Sequence, residues 1–188
     1  QAVTPHITTP PMTREGEVEF GDQKLQIQLT NLHNGHLVQF RAGGLRARDE
    51  LSLWVDHLAA NIFEPTPSIF IARGKNNKNV DTCRLKPMPD LKAKQYLQQL
   101  LDYYNEGIDA PLFLPSNASR AFVKTYLQEQ DNKAALAKTQ ADWANERRGT
   151  EGTDRYWRRL FQFPEVFSGR FSKDALAIWR PLLEAQHD

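Results

Sequence analysis

Near the start of the chain, residues 24–32 alternate between apolar and polar residues with a period of two. In residues 24–32, Leu25, Ile27 and Leu29 fall on one face of an extended chain, and polar residues fall on the other. The pair Asn34-Gly35 then favours a tight turn, and residues 37–40 are predicted to form the partner strand. The pattern predicts an antiparallel hairpin with one apolar face that needs a cover.

A helical spacing of apolar residues follows the hairpin. Asp49 and Glu50 stand in the expected first turn, where the helix dipole favours negative charge, and Pro65 ends the pattern. The apolar stripe consists of Leu51, Trp54, Val55, Leu58, Ala59 and Ile62. We expect this amphipathic helix to pack on the hairpin.

The remaining pattern predicts short strands first and helices afterwards. Strands are expected at 17–20, 68–72 and 82–85, with a polar loop at 74–79. Helices are expected at 91–104 with a stop at Gly107, at 116–130 with Ser116 as cap, and at 132–147, 154–161 and 172–186. This order predicts an α+β fold, a small mixed sheet flanked by helices. Residues 1–15, rich in Thr and Pro, are expected to form an extended lead-in, and residues 16–188 one domain.

Composition narrows the class of protein. The chain has 188 residues, one cysteine, and 24 Lys plus Arg against 23 Asp plus Glu. It therefore has no internal disulfide, and its near-neutral charge argues against a strong independent grip on nucleic acid. The absence of a long apolar run predicts no membrane contact, and we expect a cytoplasmic location. Basic residues cluster at Arg41, Arg46 and Arg48, and at residues 155–159; solvated faces are their simplest interpretation.

No common catalytic motif is present. The chain lacks a glycine-rich phosphate loop and a Gly-x-Ser-x-Gly elbow. His33 and His36 flank the hairpin turn and are expected at the surface. Asp56 and His57 are adjacent on the predicted helix, where neighbouring side chains point apart, so we expect a helix-surface pair rather than a catalytic dyad. We therefore expect no small-molecule substrate and no cofactor.

Two segments resemble the core of the PD-(D/E)xK nucleases, more specifically the nuclease domain of the bacterial RecB family. They are Ile27-Gln28-Leu29 and, after the turn, Val38-Gln39-Phe40-Arg41. The resemblance implies that Gln28 and Gln39 replace the two Mg²⁺-binding acids and that Arg41 replaces the catalytic lysine. Amides carry no charge to offset a metal ion, and arginine stays protonated at neutral pH. The resemblance thus implies a nuclease-like fold with no catalytic residues and no metal.

Longer segments resemble the C-terminal region of the RecC family, the gamma subunits of exodeoxyribonuclease V. These segments are residues 38–45, 104–112 and 149–161. The resemblance implies a non-catalytic domain of the helicase–nuclease that resects DNA double-strand breaks. Its implied partners are the RecD and RecB subunits, with DNA within the complex.

The C-terminal third is dense in aromatic residues, which either fill a core or anchor a protein interface. We expect an interface with RecD first, or with RecB, formed by Arg155, Tyr156, Trp157, Arg158, Arg159, Phe163, Phe167 and Phe171. Two other functions stay open. One is an active nuclease in which Asp22, Asp49 or Glu50 supplies the missing acid. The other is a stand-alone DNA-binding module, which the balanced charge disfavours.

Overall fold

A computed structural model describes residues 3, 6–74, 79–145, 151–161, 167 and 169–187. The strands are β1 Met12–Phe20, β2 Gln23–His33, β3 His36–Arg41, β4 Ser68–Arg73, β5 Val80–Leu85 and β6 Gln186–His187. The helices are α1 Ala47–Phe63, α2 Asp90–Asp109, α3 Ser116–Glu129, α4 Asn132–Ala144, α5 Arg155–Leu160 and α6 Gly169–Ala185, with a 3₁₀ turn at Glu151–Thr153. The chain forms two compact units, residues 1–103 with 185–188, and residues 104–184. The expected division into residues 1–15 and 16–188 stays a prediction.

The first unit contains a six-stranded mixed sheet in the order β1-β2-β3-β4-β5-β6. Strands β3 and β4 are parallel and are joined through α1, and every other neighbouring pair is antiparallel. A parallel pair needs a crossover, and α1 supplies it. The predicted α+β class with a mixed sheet is confirmed.

The predicted hairpin of β2 and β3 is confirmed, but these strands pair over fewer residues than β1 and β2 do. Asn34 and Gly35 both have positive φ, as a tight two-residue turn requires, yet β2 and β3 pair only next to this turn. Strand β1 begins at Met12, earlier than the predicted residue 17, because it pairs along almost the whole of β2. Four residues of the expected lead-in therefore belong to the sheet.

Helix α1 covers the face of the sheet predicted from the apolar alternation. Leu53, Trp54 and Leu58 are fully buried, whereas Val55, which the predicted stripe included, is exposed. The side chain of Phe63, at the end of α1, lies over Gly16, where a Cβ atom would come within 2.5 Å of its ring. Gly16 is paired with Ile27, so the Ile27 face of β1 and β2 is the face that α1 covers.

A buried asparagine fixes the end of α1. Asn61 donates to the carbonyl oxygens of His57 and Thr66, at 2.8 and 2.9 Å, and accepts from the amides of Thr66 and Met88, at 3.0 and 2.9 Å. All four hydrogen-bonding positions of its amide are thus used. This one side chain joins α1 to the segments that precede β4 and α2.

The opposite face of the sheet is packed by the N-terminal segment. Val3 and Ile7 lie against the buried side chains of Val38, Ile69 and Ile71. The ring of His33 is buried and its Nδ1 donates to the carbonyl oxygen of Thr9 at 3.0 Å. The expectation of a surface histidine at position 33 was therefore wrong, because the lead-in covers it.

The second unit contains the C-terminal end of α2 and the helices α3 to α6. Helix α2 continues through Gly107, where a stop was predicted, because a helical glycine costs only about 1 kcal/mol relative to alanine. Helix α6 begins at Gly169, before the predicted residue 172, and contains Pro181. Residues 146–150 lie outside the described residues; they include the end of the predicted helix 132–147 and the start of the break after it. Most of the predicted loop at 74–79 also lies outside the described residues.

The start of α3 is capped from a distant part of the sequence. Its N-cap residue is Pro115, which has no capping side chain. The carboxylate of Glu151 instead accepts from the amides of Asn117 and Ala118, at 3.0 to 3.1 Å, and from the hydroxyl of Ser116. Ser116 thus contributes to the helix start through Glu151 rather than as the predicted cap.

Candidate functional site

Strand β3 presents Gln39 and Arg41 to the helix α1. Side chains two residues apart in a strand point to the same face, and both of these contact acidic residues of α1. The Nε2 atom of Gln39 donates to Oδ2 of Asp56 at 2.6 Å, and Nη1 of Arg41 donates to both carboxylate oxygens of Asp49 at 2.9 and 3.0 Å. Two of the three positions that the nuclease resemblance singles out, 39 and 41, therefore each contact a carboxylate of α1.

The Arg41–Asp49 pair also organises the start of α1. Oδ2 of Asp49 accepts from the backbone amide of Arg46 at 3.0 Å, which satisfies one of the free amides at the helix start. The guanidinium of Arg41 folds back over Gly43, where a Cβ atom would lie 2.8 Å from Nη2. A glycine at position 43 therefore leaves the space that this ion pair needs.

The carboxyl group of Asp56 is in a partly buried environment. Burial raises the pKa of Asp56, and the hydrogen bond from Gln39 opposes this shift. An amide at position 39 thus stabilises the ionised form of Asp56, whereas a carboxylate there would repel it.

Gln28 lies on the other face of the sheet. It is exposed, its cross-strand partner is Glu15, and its Nε2 donates to Oε1 of Glu15 at 2.6 Å. Its neighbour Ile27 faces α1, so Gln28 points away from the helix that Gln39 contacts. The structure therefore brings Gln39 and Arg41 together and leaves Gln28 apart. The equivalence of Gln28 with the first nuclease acid stays a prediction.

His57 is fully buried, which corrects the expectation that Asp56 and His57 form a surface pair. Its Nδ1 lies 2.7 Å from the hydroxyl oxygen of Ser68, and its ring stacks on Trp54. Burial lowers the pKa of His57 to about 4, and a hydrogen bond to the backbone of Lys86 opposes the shift. His57 is a neutral core residue at physiological pH.

The acids that we considered as replacements occupy different environments. Asp22 is exposed in the turn after β1, Asp49 is bound to Arg41, and Glu50 is buried. Across the described ranges, no three His, Cys, Asp or Glu side chains are grouped so that they could hold a metal ion. In the same part of the chain, no helix is both long and apolar enough to cross a membrane.

The second unit places most of the predicted interface aromatics in one cluster around Phe113. The rings of Trp157, Phe167 and Phe171 lie 5.6, 5.2 and 5.7 Å from the ring of Phe113, measured between centroids. Phe167 and Phe171 are buried. For these three aromatics the structure favours the core alternative. Phe163 lies outside the described residues.

The exposed remainder of the predicted interface lies on α5, beside Leu160, which the prediction did not include. Tyr156 and Leu160 lie one turn apart and are exposed, as are Arg155 and Arg159. The guanidinium of Arg155 stacks on the ring of Tyr156, 4.9 Å from its centroid. Arg158 donates from Nε to the carbonyl oxygen of Gly152 at 2.8 Å, so it also supports the 3₁₀ turn. We call Arg155, Tyr156, Arg159 and Leu160 the α5 surface.

A family model described as the RecC C-terminal domain matches residues 1–127. This chain belongs to the RecC C-terminal domain family. The match includes the whole β1–β5 region, α1 and α2, and ends within α3. It therefore covers the Gln39–Asp56 and Arg41–Asp49 contacts, whereas the α5 surface lies beyond it.

Two curated proteins are similar to this RecC-family chain. The RecBCD enzyme subunit RecC of Escherichia coli (strain K12) is 25% identical over 142 residues, which is 67% of this chain and 12% of that protein. The RecBCD enzyme subunit RecC of Buchnera aphidicola subsp. Schizaphis graminum (strain Sg) is 29% identical over 103 residues, 55% of this chain and 9% of that protein. The chain thus matches only a small part of the length of these relatives.

Sequence reasoning missed the helix acids that the site depends on. The sequence pattern placed Asp49 in the first turn of the helix, as a partner of the helix dipole or as a replacement nuclease acid, and it placed Asp56 at the surface. These two residues are seven positions apart, two turns of a helix, and thus lie on one side of α1. Two acids on one side of the predicted helix could have been matched with Gln39 and Arg41 on one face of the predicted strand. That match was the signal available in the sequence.

Proposed function

We propose that this chain is a non-catalytic domain of a RecC subunit, in which a nuclease-like fold serves assembly with RecB and RecD. The observation that carries the proposal is the pairing of Gln39 and Arg41 with carboxylates of α1. The nucleases that this chain resembles use an acid and a lysine at these positions. This chain has the amide of Gln39 and the guanidinium of Arg41 there, and both bind carboxylates of α1.

The chemistry of these contacts argues against metal-dependent cleavage. Mg²⁺ is held by one or two carboxylates together with water and phosphate. Gln39 offers no charge, and the carboxylate of Asp49 is already paired with Arg41. Arg41 stays protonated and so is unable to accept a proton from an attacking water. Activation of water by a bound metal should therefore fail.

Incubation of the chain with linear duplex DNA and Mg²⁺ or Mn²⁺ tests this part of the proposal. We expect no cleavage, and no heat of Mg²⁺ binding in calorimetry. The variant Gln39→Asp serves as a comparison, because it restores an acid beside Asp56. Metal-dependent cleavage by the unaltered chain that disappears in Asp22→Asn, Asp49→Asn or Glu50→Gln would establish the active-nuclease alternative instead.

The α5 surface is the proposed docking site for RecD, with RecB as the second choice. Exposed aromatic and aliphatic residues bordered by arginines are typical of the anchors of protein interfaces. Tyr156 and Leu160 are 62% and 57% exposed, and Arg155 and Arg159 flank them. An apolar pair this exposed on a six-residue helix contributes little to the fold of its own unit.

Pull-down of the chain with RecB and RecD separately tests the docking site. The double variant Tyr156→Glu, Leu160→Glu should lose binding to one partner. The second unit offers a matched control on α2, since Tyr104 and Ile108 have the same spacing and are 67% and 66% exposed. Circular dichroism checks that both double variants fold. If folded Tyr156→Glu, Leu160→Glu protein still binds both partners as well as the α2 control does, the α5 surface is not the docking site.

A further inference from the structure

The carboxyl ends of the two parallel strands meet the start of the crossover helix in the first unit. Arg41, the last residue of β3, lies opposite Ala72, and Arg73 ends β4. The loop from β3 to α1 is held against β4, because the amide of Arg73 donates to the carbonyl oxygen of Gly43 at 3.0 Å. This geometry gathers residues from β3, β4 and α1 at one end of the sheet.

Three exposed arginines lie at this end. They are Arg46 and Arg48 at the start of α1, and Arg73 at the end of β4. We call them the arginine edge. Within the part of the chain that the structure describes, none of the three forms an ion pair with a carboxylate. The basic cluster predicted from the sequence contained Arg41 together with Arg46 and Arg48. In the structure Arg41 forms an ion pair with Asp49 and so does not belong to the arginine edge, whereas Arg73 does.

The acids near the arginine edge offset only part of its charge. Asp49 is bound to Arg41, and Glu50 is buried. Asp81, which lies opposite Ala72 on β5, is half-buried and forms no ion pair among the described residues. Local charge is therefore positive, although the chain as a whole is nearly neutral, with 24 basic and 23 acidic residues.

We propose that the arginine edge binds phosphate groups of the DNA sugar-phosphate backbone. One guanidinium group can donate two parallel hydrogen bonds to the oxygens of a phosphate, and three exposed guanidinium groups lie at this end of the sheet. Asp49 accepts from the amide of Arg46 at the start of α1, and the proposed contact is made by the arginine side chains. A metal-dependent nuclease holds phosphate through a cation between acids and DNA, whereas this edge holds it directly. The choice of DNA as the phosphate-bearing partner rests on the proposed function.

Fluorescence anisotropy with a labelled single-stranded oligonucleotide, and with the same sequence as a duplex, tests the proposal across a salt series. Three phosphate contacts predict a logarithmic salt slope of about −2 for a single strand and about −3 for a duplex. The triple variant Arg46→Gln, Arg48→Gln, Arg73→Gln should bring this slope close to zero. The control is Lys124→Gln, Lys133→Gln, Lys138→Gln, which removes the same charge from exposed positions of α3 and α4 and should leave the slope unchanged.

Three results would overturn the proposal: no salt-dependent binding even at low ionic strength, an unchanged slope in the arginine variant, or equal losses in both variants. Equal binding of a polyglutamate peptide would also overturn it, since the edge would then fit an acidic protein. Pull-down separates this inference from the proposed function, because the folded arginine variant should still bind RecB and RecD. Loss of that binding with unaltered DNA affinity would assign the edge to assembly instead.

Discussion

Replacing Gln39 by glutamate should destabilise the protein in a way that depends on pH. Gln39→Glu keeps the shape of the side chain but turns the donor that lies 2.6 Å from Oδ2 of Asp56 into a second carboxylate. Two unit charges about 4 Å apart repel by about 4 kcal/mol at an effective dielectric constant near 20. Because Asp56 remains partly exposed, screening reduces this cost. We expect the free energy of unfolding to fall by about 2 kcal/mol at pH 7.

The direction of the pH dependence follows from the pKa of the pair. Burial already raises the pKa of Asp56, and the second carboxylate raises it further, above the unfolded-state value of about 4. Between these two values the folded state holds a proton that the unfolded state has lost. The destabilisation is therefore absent below about pH 4, grows as the pH rises, and is complete above the raised pKa.

Urea unfolding at several pH values, followed by tryptophan fluorescence, measures the effect. The chain offers a matched control in Gln28→Glu, since Gln28 donates to Glu15 across the same 2.6 Å but on an exposed face. There the same change in charge should cost less than about 1 kcal/mol. Equal losses in the two variants at pH 7, or a loss at position 39 that is unchanged at pH 4, would refute the placement of Gln39 against a buried carboxyl.

Three further predictions concern stability. Asn61→Ala leaves the amides of Thr66 and Met88 without their acceptor and should lower the free energy of unfolding by about 3 kcal/mol in chemical denaturation; a loss below about 1 kcal/mol would contradict the bonding described. Because the pKa of His57 is about 4 in the folded state and near 6.5 when unfolded, stability should fall as pH drops from about 6.5 to 4, by roughly 3 kcal/mol in total. His57→Gln should flatten this dependence, and an unchanged pH profile would exclude His57 as its source. Glu151→Ala should cost about 1–2 kcal/mol by removing the cap of α3, which thermal unfolding can measure against Glu129→Ala, at the other end of the same helix.

The elements that the sequence predicted correctly are those with local causes. The alternation of Leu25, Ile27 and Leu29, the Asn34-Gly35 turn and the apolar stripe of α1 all depend on neighbours within a few residues. These local signals also sufficed for the α+β class. They could not set the extent of β1, which depends on pairing along β2, nor the continuation of α2 through Gly107.

The candidate site was only partly predictable for the same reason. Positions 39 and 41 were found by resemblance, but their partners on α1 depend on how the helix lies against β3. The two-residue alternation placed Gln28 on the polar face of its strand, yet its separation from Gln39 follows only from which face α1 covers. The cap from Glu151 joins residues more than thirty positions apart and leaves no local pattern.

Strand β6 has a consequence for the order in which the sheet is completed during translation. Gln186 and His187 pair with Leu85 and Arg84, so the last strand of the first unit follows the whole of the second unit in sequence. The ribosome releases β1 to β5 about one hundred residues before β6, which pairs with the last two residues of β5, Arg84 and Leu85. Throughout that interval β5 is an open edge, which other extended chains can pair with. A nascent chain that is arrested within the second unit therefore exposes the edge of β5 at Arg84 and Leu85, which β6 pairs with in the finished protein.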